Sequence, residues 1–133
     1  MTSLSRFKIA GMNQHYRRFS FDYFLESQVR AGFKSLELWC GAPHFHIDAE
    51  SFESCEMMRK KALDCGLDIV SVTIPSFQRP YQCAAQIGSP FERSFKYFAN
   101  GIRATAEFGC SLMTLNSGWG LRTEHPEEAW KRS

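Results

Sequence analysis

A glycine that ends a helix and leads into a short aliphatic strand recurs three times in the chain. The three boundaries span residues 31–36, 65–70 and 108–113, and each reads as helix end, glycine, short link and strand. This spacing indicates a repeated βα module with a period of about 30 to 45 residues. Right-handed repetition of such modules has two common outcomes, an open doubly wound sheet or a closed eight-stranded barrel.

Hydrophobic periodicity and capping residues predict four strands that alternate with four helices. The predicted strands are 7–12, 35–39, 67–73 and 111–116, and the predicted helices are 20–31, 49–65, 89–109 and 123–130. In the third helix, Ser89 is the predicted N-cap and Glu92 completes a capping box. The residues of this helix that we expect to face the core are Phe91, Phe95, Phe98, Ile102 and Ala106.

The residues after the first strand argue against dinucleotide binding. Residues 11–16 hold one glycine among bulky side chains, whereas a Rossmann-type turn is rich in glycine. A flavodoxin-like sheet of five strands remains compatible with the spacing. A complete barrel needs about 250 residues, and the 133 residues present supply just under four of its eight units. Length alone therefore favours the open sheet.

Composition limits the classes of partner. Sixteen basic and 14 acidic residues give a net charge of +2 without a basic stripe, so we expect no nucleic-acid partner. No stretch approaches the roughly 20 apolar residues of a membrane span, and the N-terminus lacks the apolar run of a secretory signal. The five cysteines show no Cys-x-x-Cys spacing and are expected to be reduced thiols. We expect a cytoplasmic protein with no membrane partner.

Candidate ligand-binding residues follow the second strand. Trp39 ends that strand, and His44 and His46 come after a Gly/Pro break, at the position where α/β proteins place ligand chemistry. Two imidazoles at i, i+2 face one metal ion only in extended backbone, and no matching carboxylate is evident. We therefore favour substrate contact for both histidines over metal ligation, with a structural or solvent-exposed role as the alternative. For Trp39 the alternative is plain core packing.

Further candidates lie on the loops after the first, third and fourth strands. Tyr81, with Gln82, belongs to a long third loop that is a plausible lid, and an ordinary surface loop is the alternative. Ser117 and Trp119 belong to a glycine-containing strand end that allows close backbone approach to a ligand; a simple turn is the alternative. Two more candidates, assigned to the mouth of the site, are His15 and Tyr16. Glu37, in the middle of the second strand, is expected to need a cationic or hydrogen-bonded partner such as Lys8 on the neighbouring strand, and we favour this structural pairing over a catalytic role.

Several longer stretches are similar to a known family. They read FLESQVRAGFKSLELW, ELWCGAPHFHID, IVSVTIPSFQRPYQ and LMTLNSGWG. Together they resemble the sugar phosphate isomerase/epimerase family of xylose-isomerase-like barrels, and within it the branch of ketose and fructosamine-type 3-epimerases. The resemblance extends over residues 7–130.

The resemblance implies that residues 1–133 form the N-terminal half, about four βα units, of a (β/α)8 TIM barrel whose C-terminal half is absent. It implies an enzyme that uses a divalent metal (Mn, Mg, Co or Zn) to epimerise, or to interconvert as aldose and ketose, a sugar, a sugar phosphate or a fructosamine. Two Glu, one Asp and one His from strands five to eight would hold that metal, so no residue here is assigned as a metal ligand or as catalytic. This chain would supply the sugar-binding wall, and His44 is the better histidine to reach sugar hydroxyls.

The resemblance leaves alternatives open. An inosose dehydratase-like lyase shares the fold and the metal. A DNA-repair endonuclease of the same superfamily needs histidines where this chain has residues 73–76 and 116–118, so that alternative is weak. The chain could also be a catalytically inactive half-barrel. With two open edges and an inner face expected to be apolar, it should self-associate or pair with the missing C-terminal half.

Overall fold

Strands and helices alternate along the whole chain. The computed structural model describes residues 9–76, 80–118 and 120–133. The strands are β1 (Ala10–Met12), β2 (Ser35–Trp39), β3 (Asp68–Thr73) and β4 (Met113–Thr114), and the helices are α1 (Phe21–Ala31), α2 (Cys55–Asp64), α3 (Ser89–Glu107) and α4 (Pro126–Arg132). A short 3-10 helix at Asn13–Tyr16 follows β1.

The four strands form one parallel sheet in the order β1-β2-β3-β4. A doubly wound sheet reverses its strand order at a switch point, whereas this sheet runs in chain order from one edge to the other. The open sheet favoured by length alone is therefore wrong, and we call this four-stranded unit the half-barrel. The register between β2 and β3 shifts between Leu36 and Glu37.

The helices cover one face of the sheet and form the core there. Leu36, Leu38, Val72 and Ile74 are fully buried on this outer face. The residues that the helices bring against them include Phe24, Leu25, Met58, Ala62, Tyr97, Ala104 and Phe108. In residues 9–76, 80–118 and 120–133, no helix combines the length and the apolar character needed to cross a membrane.

Helix α1 has the predicted limits. The Ser20 hydroxyl accepts a hydrogen bond from the backbone N of Tyr23 at 3.1 Å, which satisfies a free N–H of the first turn. Gly32 ends the helix with φ 79°, a left-handed conformation that glycine adopts without a steric penalty.

Helix α2 begins at Cys55, so the predicted start near residue 49 is wrong. Oδ1 of Asp48 accepts hydrogen bonds from the backbone N of Glu50 (2.7 Å) and of Ser51 (2.8 Å). These bonds close a turn, and Ile47 then bridges Phe52 in antiparallel fashion. Strand β4 is also shorter than predicted. It spans Met113–Thr114, whereas the sequence predicted a strand over 111–116.

Helix α3 turns a different face to the core than predicted. Its N-cap is Gly88 and no side chain caps it, so the predicted capping box at Ser89 is wrong. Phe95 is 67% exposed and Ile102 is 60% exposed. Gly101 faces the sheet instead, at a site where a Cβ atom would lie 2.8 Å from the Ile74 side chain. The helix packs on the sheet through its small residues because they allow a closer approach.

Helix α4 starts at Pro126, with His125 as its N-cap. The predicted start at residue 123 is three residues early, whereas the proline in the first turn is confirmed.

Candidate functional site

The face of the sheet opposite the helices carries mostly polar side chains. Strand partners in register point to the same side: Glu37 lies beside Ser71, and Thr73 lies beside Thr114. We call this side the inner face; its residues are Ala10, Met12, Ser35, Glu37, Trp39, Asp68, Ser71, Thr73 and Thr114. The expectation of an apolar inner face is therefore wrong. Polar and apolar residues alternate in β2, and its polar residues Ser35 and Glu37 lie on this face.

Glu37 and Thr73 are joined across the inner face. The Thr73 hydroxyl donates to Oε1 of Glu37, which is half-buried. The partner predicted for Glu37, Lys8, lies outside the described residues. A carboxylate and hydroxyls side by side on a concave surface can accept and donate hydrogen bonds to a polyol.

The loop after β1 is tied to the end of β2 by Asn13. This residue is fully buried, and its Oδ1 accepts from the backbone N of Trp39 at 2.7 Å. Its Nδ2 donates to the backbone O of Trp39 at 3.0 Å and lies 2.9 Å from Nδ1 of His44. One asparagine side chain thus holds two loops at the C-terminal edge of the sheet.

His44 is buried and both of its ring nitrogens have protein partners. Nδ1 lies against the Asn13 amide, and Nε2 lies 2.8 Å from the backbone O of Phe19. The carbonyl oxygen can only accept, so Nε2 carries the proton and Nδ1 accepts from Asn13. This geometry gives His44 a structural role. Contact between His44 and a sugar stays a prediction. Both ring nitrogens already have hydrogen-bond partners within the protein.

Trp39 is 2% exposed. Its ring lies over the backbone at Gly41, where a Cβ atom would be 2.1 Å from the ring. The Arg17 guanidinium carbon is 5.7 Å from the ring centroid. The indole Nε1 of Trp39 is buried and has no hydrogen-bond partner among the described residues. The Trp39 ring therefore packs beneath the loops that follow β1 and β2. Contact between this ring and a sugar stays a prediction.

His46 and Tyr81 meet at one cavity. This cavity has a volume of about 180 Å³, and Pro75 and Tyr97 also line it. Tyr81 stacks on Tyr97 with ring centroids 4.1 Å apart, and burial raises the pKa of the Tyr97 phenol. The cavity is smaller than the roughly 300–1,000 Å³ of common ligand pockets. It can take a small part of a ligand.

The His46 ring is the more accessible of the two predicted imidazoles. Its side chain is 60% exposed, and Nε2 lies 3.1 Å from Oδ2 of Asp48. The pKa of Asp48 is lowered, first by the backbone N–H groups of Ser51 and Glu50 and then by the His46 ring. Asp48 therefore stays ionised and orients the ring, so ligand contact by His46 stays a prediction that the geometry permits.

The predicted residues after β4 are separate from this cavity. Ser117 is exposed and does not line it, and Trp119 lies outside the described residues. The buried Ser76 hydroxyl accepts from the backbone N of Asn116 at 2.7 Å, which ties the loop after β3 to the loop after β4.

A metal centre needs at least three suitable ligands close together. In the part of the chain that the structure describes, no three His, Cys, Asp or Glu side chains form such a group. The His46–Asp48 pair supplies two donors and has no third. These residues do not fit the metal site of the resembled family, and the location of its ligands beyond this chain stays a prediction.

Sequence reasoning missed Asn13 and the hydroxyl residues of the inner face. The signal for Ser71 and Thr73 was present, since polar and apolar residues alternate from residue 71 to residue 73 at the end of β3, and this alternation indicates which face the helices cover. For Asn13 no local signal exists, because its partners lie 26 and 31 residues away.

Parallel strands in chain order, helices on one side and a polar concave side define half of a (β/α)8 barrel. No family model and no curated protein matches the sequence. A solved sugar phosphate isomerase/epimerase from Parabacteroides distasonis is similar in structure, with a TM-score of 0.60 and 17% identity. The match covers 99% of this chain and 45% of that chain.

A solved D-psicose 3-epimerase, determined in the presence of D-fructose, is also similar. Its TM-score is 0.62 at 14% identity, and the match covers 92% of this chain and 43% of that chain. At these identities the likeness establishes the fold, and this chain spans less than half the length of both proteins. The prediction of the N-terminal half of a xylose-isomerase-like (β/α)8 barrel is confirmed as a fold.

Proposed function

We propose that this chain is one half of a (β/α)8 barrel that isomerises or epimerises a sugar, and that it supplies part of the sugar-binding wall. The observation that carries the proposal is the polar inner face, where Glu37 in the middle of β2 is hydrogen-bonded to Thr73 at the C-terminal end of β3. Barrels of this class place their active sites at that end. The similarity in fold to a sugar phosphate isomerase/epimerase and a D-psicose 3-epimerase supports it.

In this proposal the chain binds and orients the sugar. Glu37 accepts hydrogen bonds from sugar hydroxyls, and Thr73 holds the carboxylate in place. Thr114, in register with Thr73, offers a further hydroxyl. The divalent metal and the groups that remove and return the proton belong to the other half of the barrel, so no chemical step is assigned to this chain.

Binding of D-fructose tests the proposal. D-fructose is titrated into the full 133-residue chain by isothermal calorimetry, with Glu37→Gln as the test variant. Losing a charged acceptor weakens binding by about 10-fold or more. Asp68→Asn is the matched control, since Asp68 lies on the inner face at the opposite, N-terminal end of β3. Absence of D-fructose binding, or equal losses in both variants, would contradict the proposal.

Catalysis is tested by proton NMR in D₂O with Mn²⁺. Exchange at carbon 3 of D-fructose is expected to stay at background for this chain alone and to rise when a C-terminal half-barrel is supplied. Exchange by this chain alone would contradict the proposed division between a binding half and a catalytic half.

A further inference from the structure

Helix α3 carries a row of large apolar side chains that its own sheet leaves largely uncovered. Phe91, Phe95 and Ile102 are 41%, 67% and 60% exposed, and Phe98 is partly buried between them. Successive members of this row are four, three and four residues apart, which is the alternation of a coiled-coil seam. We call these four residues the α3 seam. A contiguous exposed apolar row of this kind marks a contact with another surface.

The α3 seam lies apart from the side of the helix that packs on the sheet. The buried residues of α3 are Ser94, Tyr97, Asn100, Gly101, Ala104 and Thr105. None of these six belongs to the seam, and of the seam residues Phe98 contributes partly to the core. The half-barrel therefore holds α3 mainly through its other side, and the seam remains available for a second contact.

A second copy of α3 matches the seam when the two helices run antiparallel. The spacing of four, three and four is the same read from either end of the seam. A two-fold axis midway along the seam therefore places Phe91 opposite Ile102 of the second copy, and Phe95 opposite Phe98 of the second copy. Each pair occurs twice, so every layer of the contact is apolar, as a self-complementary two-fold interface requires.

The charged residues beside the seam favour the antiparallel direction. Glu92 follows Phe91 and Arg103 follows Ile102, so both charges lie on the same flank of the seam. Among the described residues neither takes part in a salt bridge, and Arg103 uses one guanidinium nitrogen to donate to Asn100. In the antiparallel pair, Glu92 and the second copy's Arg103 differ by about 3 Å along the helix axis, within reach of these long side chains. A parallel pair would place like charges side by side, which is destabilising.

The exposed area of the seam is that of a weak dimer. At roughly 200 Å² for a complete large apolar side chain, the exposed parts of Phe91, Phe95 and Ile102 amount to about 300 Å² per copy. A stable interface buries about 800 Å² per partner, whereas weak and transient contacts bury less than about 1,200 Å² in total. The seam with its charged flank therefore fits reversible association.

We propose that two copies of this chain associate reversibly through the α3 seam, with the two helices antiparallel. The contact lies on the side of the sheet that the helices cover, so it differs from pairing of the open strand edges. It leaves the inner face accessible and is therefore independent of the proposed sugar-binding function.

Sedimentation velocity of the full 133-residue chain at increasing micromolar concentrations tests this contact. We expect a monomer–dimer equilibrium with a dissociation constant in the micromolar range. Phe95→Ser removes an apolar side chain from two layers of the contact and should raise the dissociation constant at least about 10-fold. Because Phe95 is 67% exposed, the circular dichroism spectrum and Tm should stay unchanged, which separates association from folding. Leu63→Ser is the matched control, since Leu63 is 52% exposed and lies on α2.

Charge reversal tests the second copy and its direction. Glu92→Arg and Arg103→Glu should each weaken the dimer, and the double variant should restore it because the opposite charges meet again. A monomer at every concentration, association unchanged by Phe95→Ser, or an equal loss in the Leu63 variant would overturn the proposal; association unchanged by Phe95→Ser would point to the open strand edges instead. A double charge variant as weak as the single variants would overturn the antiparallel arrangement.

Discussion

Replacing Asn13 by alanine should remove a large part of the stability of the half-barrel. The substitution leaves two buried polar atoms without their partner, the backbone N of Trp39 and Nδ1 of His44, whereas the backbone O of Trp39 keeps the backbone N of Gly41 as a donor. A buried group left unsatisfied costs about 1–3 kcal/mol, so even the lower value gives a loss of about 2 kcal/mol. Domains are stable by about 5–15 kcal/mol in total, and at about 4 °C per kcal/mol the melting temperature falls by about 8 °C.

Urea unfolding followed by tryptophan fluorescence measures this loss, because Trp39 is almost completely buried next to Asn13. The control is Gln14→Ala, one residue further on, whose side chain takes no part in the Asn13 hydrogen bonds. We expect the control to change the free energy of unfolding by less than about 0.5 kcal/mol. A loss below about 1 kcal/mol for Asn13→Ala, or an equal loss in the control, would refute the assigned role of Asn13.

Three further predictions concern packing, thiol reactivity and assembly. Gly41→Ala places a Cβ against the Trp39 ring and should destabilise by about 1–3 kcal/mol in the same unfolding assay; unchanged stability would contradict the packing. Exposed Cys65 should react with iodoacetamide in the native state, whereas burial raises the pKa of the Cys40 thiol, which should react only on unfolding, as mass spectrometry can check. The open edges of β1 and β4 should make the isolated chain dimerise or aggregate; a monomer by light scattering with cooperative melting would count against this.

The sequence predicted the alternation of elements and most helix ends, because these depend on local capping and periodicity. It placed the start of α2 wrongly near residue 49, directly after Asp48, for a definable reason. An N-cap and a closed Asx turn use the same bonds, from a side-chain oxygen to backbone N–H groups two and three residues later. The antiparallel bridge between Ile47 and Phe52 distinguishes the two cases, and neither side chain signals that bridge in the sequence.

The orientation of α3 was predicted wrongly because the buried side of this helix, which includes Ser94, Asn100 and Thr105, is not its most hydrophobic side. The side with phenylalanines is the more hydrophobic, yet the side with Gly101 and Ala104 packs on the sheet. Close approach to Ile74 outweighs side-chain size here. The same limit applies to the candidate site, since His44 could be located on its loop from the sequence, whereas its partners Asn13 and Phe19 could not.

The hydrogen bonds of Asn13 and His44 fix both ends of the short segment 14–18 that lies between their partners. Their hydrogen bonds involve backbone atoms of Trp39 and Phe19 and none of the side chains at 14–18. Tyr16 packs edge-to-face on the buried Phe24 and Arg17 lies over the Trp39 ring, so the positions that can be exchanged while the scaffold keeps its melting behaviour are 14, 15 and 18. Such an arrangement allows new ligand preferences to arise by substitution in one short segment, without a compensating change in the core.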